Sequence, residues 1–223
     1  MFAARGGAQD LHSVRSPDGK LEFRLFVSQS QSSLPRIGYQ LVYRGKLLLD
    51  TSYLGFDIQY QEPILGEKVG LTDWSEGPGV LTAHYLQDGS LGRRIDIEIR
   101  IWDDGAAFRY VIPRSTPLAD IQIVRDLTEF ALPVKVSAPV MTPFTVQVPG
   151  IAWISIGEEG TAGSYPRMTL ARSEEEDKVL ITHFSRIWES VTPMATPWRV
   201  IGVGENRESA IDSSGKTLEP KTR

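Results

Sequence analysis

Between residues 95 and 101 the chain reads IDIEIRI, with isoleucine at every odd position and a charge at every even one. A period of two places all four isoleucines on one face of a strand and the charges on the other. That pattern cannot be buried as a helix, whose apolar positions recur every three or four residues. It needs a sheet with one dry and one wet face, and hence a second layer to cover the dry side. LEFRLFV (21–27) and YQLVYR (39–44) repeat the alternation more loosely. FRYVI (108–112), IQIVRDLTEFAL (121–132), FTVQV (144–148), IAWISI (151–156), RMTLA (167–171), KVLITHF (178–184) and WRVIGVG (198–204) continue it.

Turn signals divide these runs: PDG at 17–19, RGK at 44–46, QDGS at 87–90, DDG at 103–105 and EEED at 174–177. No stretch keeps a helical stripe over three turns. Prolines at 113, 117, 133, 139, 143 and 149 break any helix across that region. The runs add up to about fifteen strands, more than one open sheet carries comfortably. The expected fold is therefore all-β, with two stacked antiparallel sheets.

At 223 residues the chain can bury a sizeable core within one domain. Its apolar fraction of 41% and net charge of −4 give no basic footprint for nucleic acid. No run approaches the roughly 18 apolar residues of a membrane span. Cysteine is absent, which excludes disulfides and thiolate metal sites. Residues 1–15, MFAARGGAQDLHSVR, lack an apolar h-region and read as a flexible N-terminus or a signal remnant. Residues 16–212 are expected to form the sandwich. The polar tail from 213 to 223, SSGKTLEPKTR, reads as a linker.

The stretch SIGEEGTAGSYPRMTL (155–170) places two adjacent glutamates at the end of an apolar strand. Neighbours on a strand face opposite ways, so Glu158 and Glu159 serve different surroundings. A carboxylate at a buried strand end needs a cation or a hydrogen-bond donor to compensate it. Asp103-Asp104-Gly105 lacks the acid spacing of a calcium loop and reads as a turn. Arg100 and Arg109, on the strands beside it, are expected to pair with strand acids. Glu174–Asp177 reads as a solvated hairpin tip. Among the tryptophans, Trp102, Trp153 and Trp198 lie in apolar runs, whereas Trp74, in TDWSEGPG, is the exposed candidate for stacking on a sugar. No nucleophile elbow, phosphate loop, dinucleotide fingerprint or HExxH motif is present.

Several motifs occur together and in order: SPDGKL (16–21), YRGKLLLDTSYLGFDI (43–58), GRRIDIEIRIWDDGAAFRY (92–110), VRDLTEF (124–130), EEGTAGSYPRM (158–168) and TPWRVI (196–201). The set resembles the N-terminal domain of glycoside hydrolase family 97, over nearly the whole chain from Ser16 to about Ser214. The resemblance implies a β-super-sandwich similar to galactose mutarotase. It also implies a catalytic (β/α)8 barrel as partner, which this sequence does not contain, in an α-glucosidase or α-galactosidase acting on an α-linked oligosaccharide. In the family a strand-end glutamate six residues before a Tyr-Pro binds a Ca2+ shared with the barrel. Glu159 takes that position here, with Glu158 as its outward neighbour. A periplasmic or secreted location is implied as well. Two other readings stay open. One is a stand-alone carbohydrate-binding module using Trp74; the other is a mutarotase-like epimerase pairing His84 or His183 with Glu159.

Overall fold

A computed structural model describes residues 7–30, 33–88, 92–137, 139–160 and 165–215. From the N-terminus run β1 (Gly7–Arg15), β2 (Leu21–Ser30), β3 (Ser33–Tyr43), β4 (Lys46–Tyr53), β5 (Phe56–Ile58) and β6 (Gln61–Leu65). A meander follows: β7 (Val69–Gly77), β8 (Val80–Gln87), β9 (Arg94–Trp102) and β10 (Gly105–Ile112). Next come β11 (Asp120–Asp126), β12 (Glu129–Ala131), β13 (Val140–Met141), β14 (Phe144–Val148) and β15 (Ala152–Glu159). The last strands are β16 (Thr169–Arg172), β17 (Val179–His183), β18 (Trp188–Val191), β19 (Met194–Ala195) and β20 (Trp198–Gly204). One helix, α1 (Arg207–Ser214), ends the described chain.

The strands form two large sheets and a smaller one. The first runs β1-β2-β3-β4-β12-β17-β16-β13 and the second β14-β15-β20-β10-β9-β8-β7, with β19 beside β10. These are the expected pair, and the strand ladders are antiparallel. The four-stranded sheet, β18-β11-β5-β6, was not foreseen. It arises because the run IQIVRDLTEFAL is two strands, one for each of two sheets. Asp126 breaks it by accepting from both the backbone N–H and the hydroxyl of Thr128, the local bonding by which an aspartate turns the chain.

The alternation at 95–101 is realised residue by residue: Ile95, Ile97 and Ile99 are fully buried and Ile101 nearly so. They face an aromatic stack shared by both large sheets. The rings of Phe23 and Tyr39 lie 5.1 Å apart, and Phe108 of the opposite sheet is 5.1 Å from Tyr39. Each such ring contributes roughly 1.5–3 kcal/mol on burial.

Two boundaries differ from the sequence reading. Residues 7–15, part of the stretch 1–15 expected to be a flexible N-terminus or a signal remnant, form β1 as an edge strand along β2, where Val14 is buried. Ser213 and Ser214, assigned to the linker, belong to α1. The helix escaped notice because it has no apolar stripe. Its signal is in its caps: Asn206 and Ser209 form a capping box, and Gly215 follows the last turn. Residues 1–6, 216–223 and the 161–164 part of the glycine-rich crossing lie outside the described residues. Among the described residues no helix is long and apolar enough to cross a membrane.

Candidate functional site

The site begins with the register of β15 against β20. Glu158 pairs with Arg199, and Glu159 with Trp198. Along β15, Ala152, Ile154 and Ile156 point into the core, and Glu158 continues that face. Along β20, Arg199, Ile201 and Val203 do the same. The odd positions of β15 and the even positions of β20 therefore share the outer face of the sheet, and Glu159 ends that row.

Glu158 is thus the inward residue, which corrects the expectation that it would be the outward neighbour. Its partner there is Arg199, whose side chain is completely buried. Its Nη1 donates to Glu158 Oε2 at 2.9 Å, and its Nη2 donates to Asp126 Oδ2 at 2.5 Å and to the Tyr165 hydroxyl at 3.2 Å. Tyr165 in turn donates to Asp126 Oδ2 at 3.0 Å. Asp126 Oδ1 takes the two Thr128 donors, and the Tyr110 hydroxyl lies 2.6 Å from Thr128 Oγ1. Every polar atom of Asp126 is therefore used, as a carboxylate with no solvent exposure requires. Burial alone would lower the Arg199 pKa. The charge of Asp126, helped by that of Glu158, outweighs it and raises the pKa above its usual value.

On the outer face, Trp198, Val200 and Ala107 form a separate buried cluster. The guanidinium groups of Arg109 and Arg100 lie 4.5 and 4.8 Å from the Trp198 ring, in cation–π contact. Arg109 also donates to Glu98 at 2.7 Å, the strand-acid partner expected of it. Glu159 ends its strand beside this patch. Its Oε2 is shielded from solvent.

Trp74 is half exposed on the edge strand β7, with the His12 ring 4.4 Å away. The structure does not bring it to Glu159, since β7 and β15 are near opposite edges of their sheet. His84 pairs through Nδ1 with Asp96 Oδ1 at 2.8 Å. It lies four strands from Glu159, about 19 Å at the usual strand spacing, too far to flank one sugar. His183 is exposed at the end of β17 in the other large sheet. Asp103 and Asp104 make the two-residue turn between β9 and β10, and residues 174–177 are exposed between β16 and β17. Among the described residues no cluster of three or more acidic or histidine side chains is arranged to hold a metal. Two clefts of about 310 and 290 Å³ open near the start of β15 and the N-terminus of α1, and neither is lined by Glu159 or Trp74.

The sequence reading gave no role to Arg199 or Asp126. Arg199 was legible as an anomaly, a charge inside the otherwise buried run WRVIGVG, whereas Asp126 was not, because β11 alternates buried and exposed positions and already carries the exposed Arg125 beside it.

The family described as Glycosyl-hydrolase 97 N-terminal matches residues 80–141 and 134–214, most of the second sheet and all of the Arg199 network. The chain belongs to that family. Among solved structures it is similar to a glycoside hydrolase family 97 enzyme in complex with acarbose from Pseudoalteromonas sp. strain K8. The TM-score is 0.73 at 22% identity, over 87% of this chain and 36% of that one. A beta-arabinopyranosidase matches with a TM-score of 0.70 at 20% identity, over 88% of this chain and 40% of the other. At these identities the likeness shows the fold alone. The chain spans little more than a third of the length of these enzymes. No curated protein matches it in sequence.

Proposed function

We propose that this chain is the non-catalytic N-terminal domain of a calcium-dependent α-glycosidase. In this reading it braces a catalytic (β/α)8 barrel and lends Glu159 to a calcium ion beside the sugar pocket. The observation that carries the proposal is the split between the two glutamates. Glu158 is committed inward to Arg199, so Glu159 is the one carboxylate at that strand end directed to the outer face. Family membership supports the wider setting.

One outward carboxylate suits a share in such an ion and no more, since no cluster of three or more acidic or histidine side chains arranged to hold a metal stands among the described residues. Calcium takes six to eight hard oxygen ligands, and one carboxylate gives at most two. The rest would come from the barrel and water. When bound, the ion would hold oxygens and positive charge near the sugar. The part of this domain is to fix one carboxylate rigidly at the joint. Glycoside cleavage itself needs two carboxyl groups flanking the scissile bond, and these belong to the barrel. The sugar and linkage are set there too, with an α-glucoside or α-galactoside the favoured class.

The test is calcium-dependent hydrolysis by the full-length chain with Glu159→Gln. We expect the calcium requirement to rise steeply, while calorimetric titration of residues 1–223 alone shows weak binding or none. An unchanged requirement in Glu159→Gln would refute the role of Glu159.

Trp74 favours a second reading, a carbohydrate-binding module, because a half-exposed indole on an edge strand is a ready stacking surface. Quenching of tryptophan fluorescence by malto-oligosaccharides, abolished in Trp74→Ala, would select it.

A further inference from the structure

The segment that carries Glu159 is held at both ends by one side chain. Arg199 reaches Glu158, the residue before Glu159, through Nη1, and Tyr165, six residues after it, through Nη2. Its Cζ also lies 5.3 Å from the centre of the Tyr165 ring. That ring is wedged edge-on between Trp188 at 4.6 Å and Phe184 at 5.2 Å, so it cannot drift. Glu158 makes a second tie across the same segment, accepting from the Met168 N–H through Oε1 at 3.3 Å. Asp126 anchors the guanidinium from the neighbouring small sheet.

We propose that Arg199 is a positioning residue for Glu159, acting as a clasp that holds Glu158 inward and Tyr165 in place and so fixes the strand end from which Glu159 faces outward. The physical reason is the two-residue period of a strand. A slip of one position would exchange Glu158 and Glu159 between the core and the outer face. That exchange is costly, because it would turn Ala152, Ile154 and Ile156 out of the core and part Glu158 from both Arg199 Nη1 and the Met168 N–H. A planar fork is needed, since Nη1 and Nη2 bind different partners. Lysine offers a single point charge and cannot span Glu158 and Tyr165 together.

The functional consequence rests on the calcium reading of Glu159, and the experiment separates the two. The half-saturating calcium concentration for hydrolysis is measured in the full-length chain for Arg199→Lys, Tyr165→Phe, Glu159→Gln and the core control Ile97→Val. Partners that orient a metal ligand typically change metal affinity about 10–100-fold. Arg199→Lys is expected to raise the half-saturating calcium by that factor, with activity recovering as calcium is raised. Tyr165→Phe, which removes one hydroxyl and keeps the ring, should shift it less in the same direction. Ile97→Val, buried in the core away from the clasp, should not move it.

If Arg199→Lys leaves the calcium requirement unchanged while Glu159→Gln raises it, the positioning role is overturned. An equal shift in Ile97→Val would overturn it as well, reducing the effect to general destabilisation. If Glu159→Gln is itself without effect, the calcium reading fails and hydrogen exchange decides the clasp. Arg199→Lys should then deprotect the Glu159 and Met168 amides while the β9–β10 hairpin keeps its protection. Uniform or unchanged protection would refute the clasp.

Discussion

Glu159 stands opposite Trp198 in the β15–β20 ladder, one step beyond the pair formed by Glu158 and Arg199. The two adjacent rungs divide the labour of the strand end. The inner rung is an ion pair closed off between the sheets, and the outer rung joins a carboxylate to an indole flanked by two arginines. A continuous apolar strand such as IAWISI can end in two charges because each has its own compensation. The inner charge meets a guanidinium, and the outer one ends its strand beside the Trp198 patch, where two further guanidinium groups lie.

Adjacent positions on β11 should respond very differently to substitution. Asp126 is fully buried and carries Arg199, Tyr165 and Thr128, so Asp126→Ala strands a buried cation. Breaking such a pair from one side typically costs about 3–5 kcal/mol. Arg125 next to it pairs with Asp57 at 2.7 Å but is mostly exposed, and Arg125→Ala should cost less than about 1 kcal/mol. Urea unfolding followed by tryptophan fluorescence checks both. Similar midpoints for the two variants would contradict the network described here.

Much of the architecture was legible because a single physical rule, alternation against a covered face, acts on short windows of sequence. The β9 pattern and its hairpin at Asp103-Asp104 could be read that way. The third sheet could not, since periodicity says how a strand is buried and not which neighbour it pairs with. The Asp126–Thr128 bonds that split IQIVRDLTEFAL are local, but their effect is to send β11 and β12 to different sheets. At the site, the adjacency of Glu158 and Glu159 was legible, and the alternation of Ile154 and Ile156 already marks Glu158 as the inward member. Its compensating partner was not legible, because Arg199 lies forty-one positions after Glu158 and meets it only through long-range register.

Helix α1 rests on β20 through two glycines that leave no room for a side chain. A Cβ at Gly202 would lie 2.1 Å from the carbonyl oxygen of Ala210, and 2.6 Å from the Ser214 nitrogen. Both are backbone atoms and cannot rotate away. Gly202→Ala should therefore lift the helix from the sheet, at a cost of about 1–3 kcal/mol or more. Proteolytic cleavage between residues 205 and 215 should become faster. Gly77→Ala, where a Cβ meets nothing within 4 Å, is the control expected to change neither property.

Residues 1–223 alone should hydrolyse no nitrophenyl α-glucoside or α-galactoside. Retaining and inverting glycosidases alike place two carboxyl groups about 5–9.5 Å apart across the glycosidic bond. The acids near Glu159 are otherwise engaged: Glu158 with Arg199, Asp126 with four donors and Glu98 with Arg109. Turnover that a point substitution within this chain abolishes would overturn the non-catalytic assignment.

The behaviour at high pH follows from three fully buried tyrosines and a fourth, Tyr165, that is largely enclosed. Burial raises the pKa of Tyr39, Tyr85, Tyr110 and Tyr165 above the ordinary value of 10.0, and for Tyr110 and Tyr165 the nearby Asp126 charge raises it further. A phenol whose folded pKa exceeds its unfolded value keeps its proton more tightly in the native state. Above about pH 10 the unfolded chain therefore binds fewer protons than the folded one, and stability falls as pH rises. Below that value the contribution is fully present. The four phenols share one direction, so the alkaline transition should be cooperative. Their ionisation should coincide with loss of tertiary structure instead of preceding it. Near-ultraviolet phenolate absorbance and tryptophan fluorescence, recorded together along a pH titration, test this directly. The expected result is partial phenol ionisation with the fold intact, then release of the remainder as it opens. Ionisation of all seven tyrosines in a single step near pH 10, with fluorescence unchanged, would show that these side chains are not buried as described.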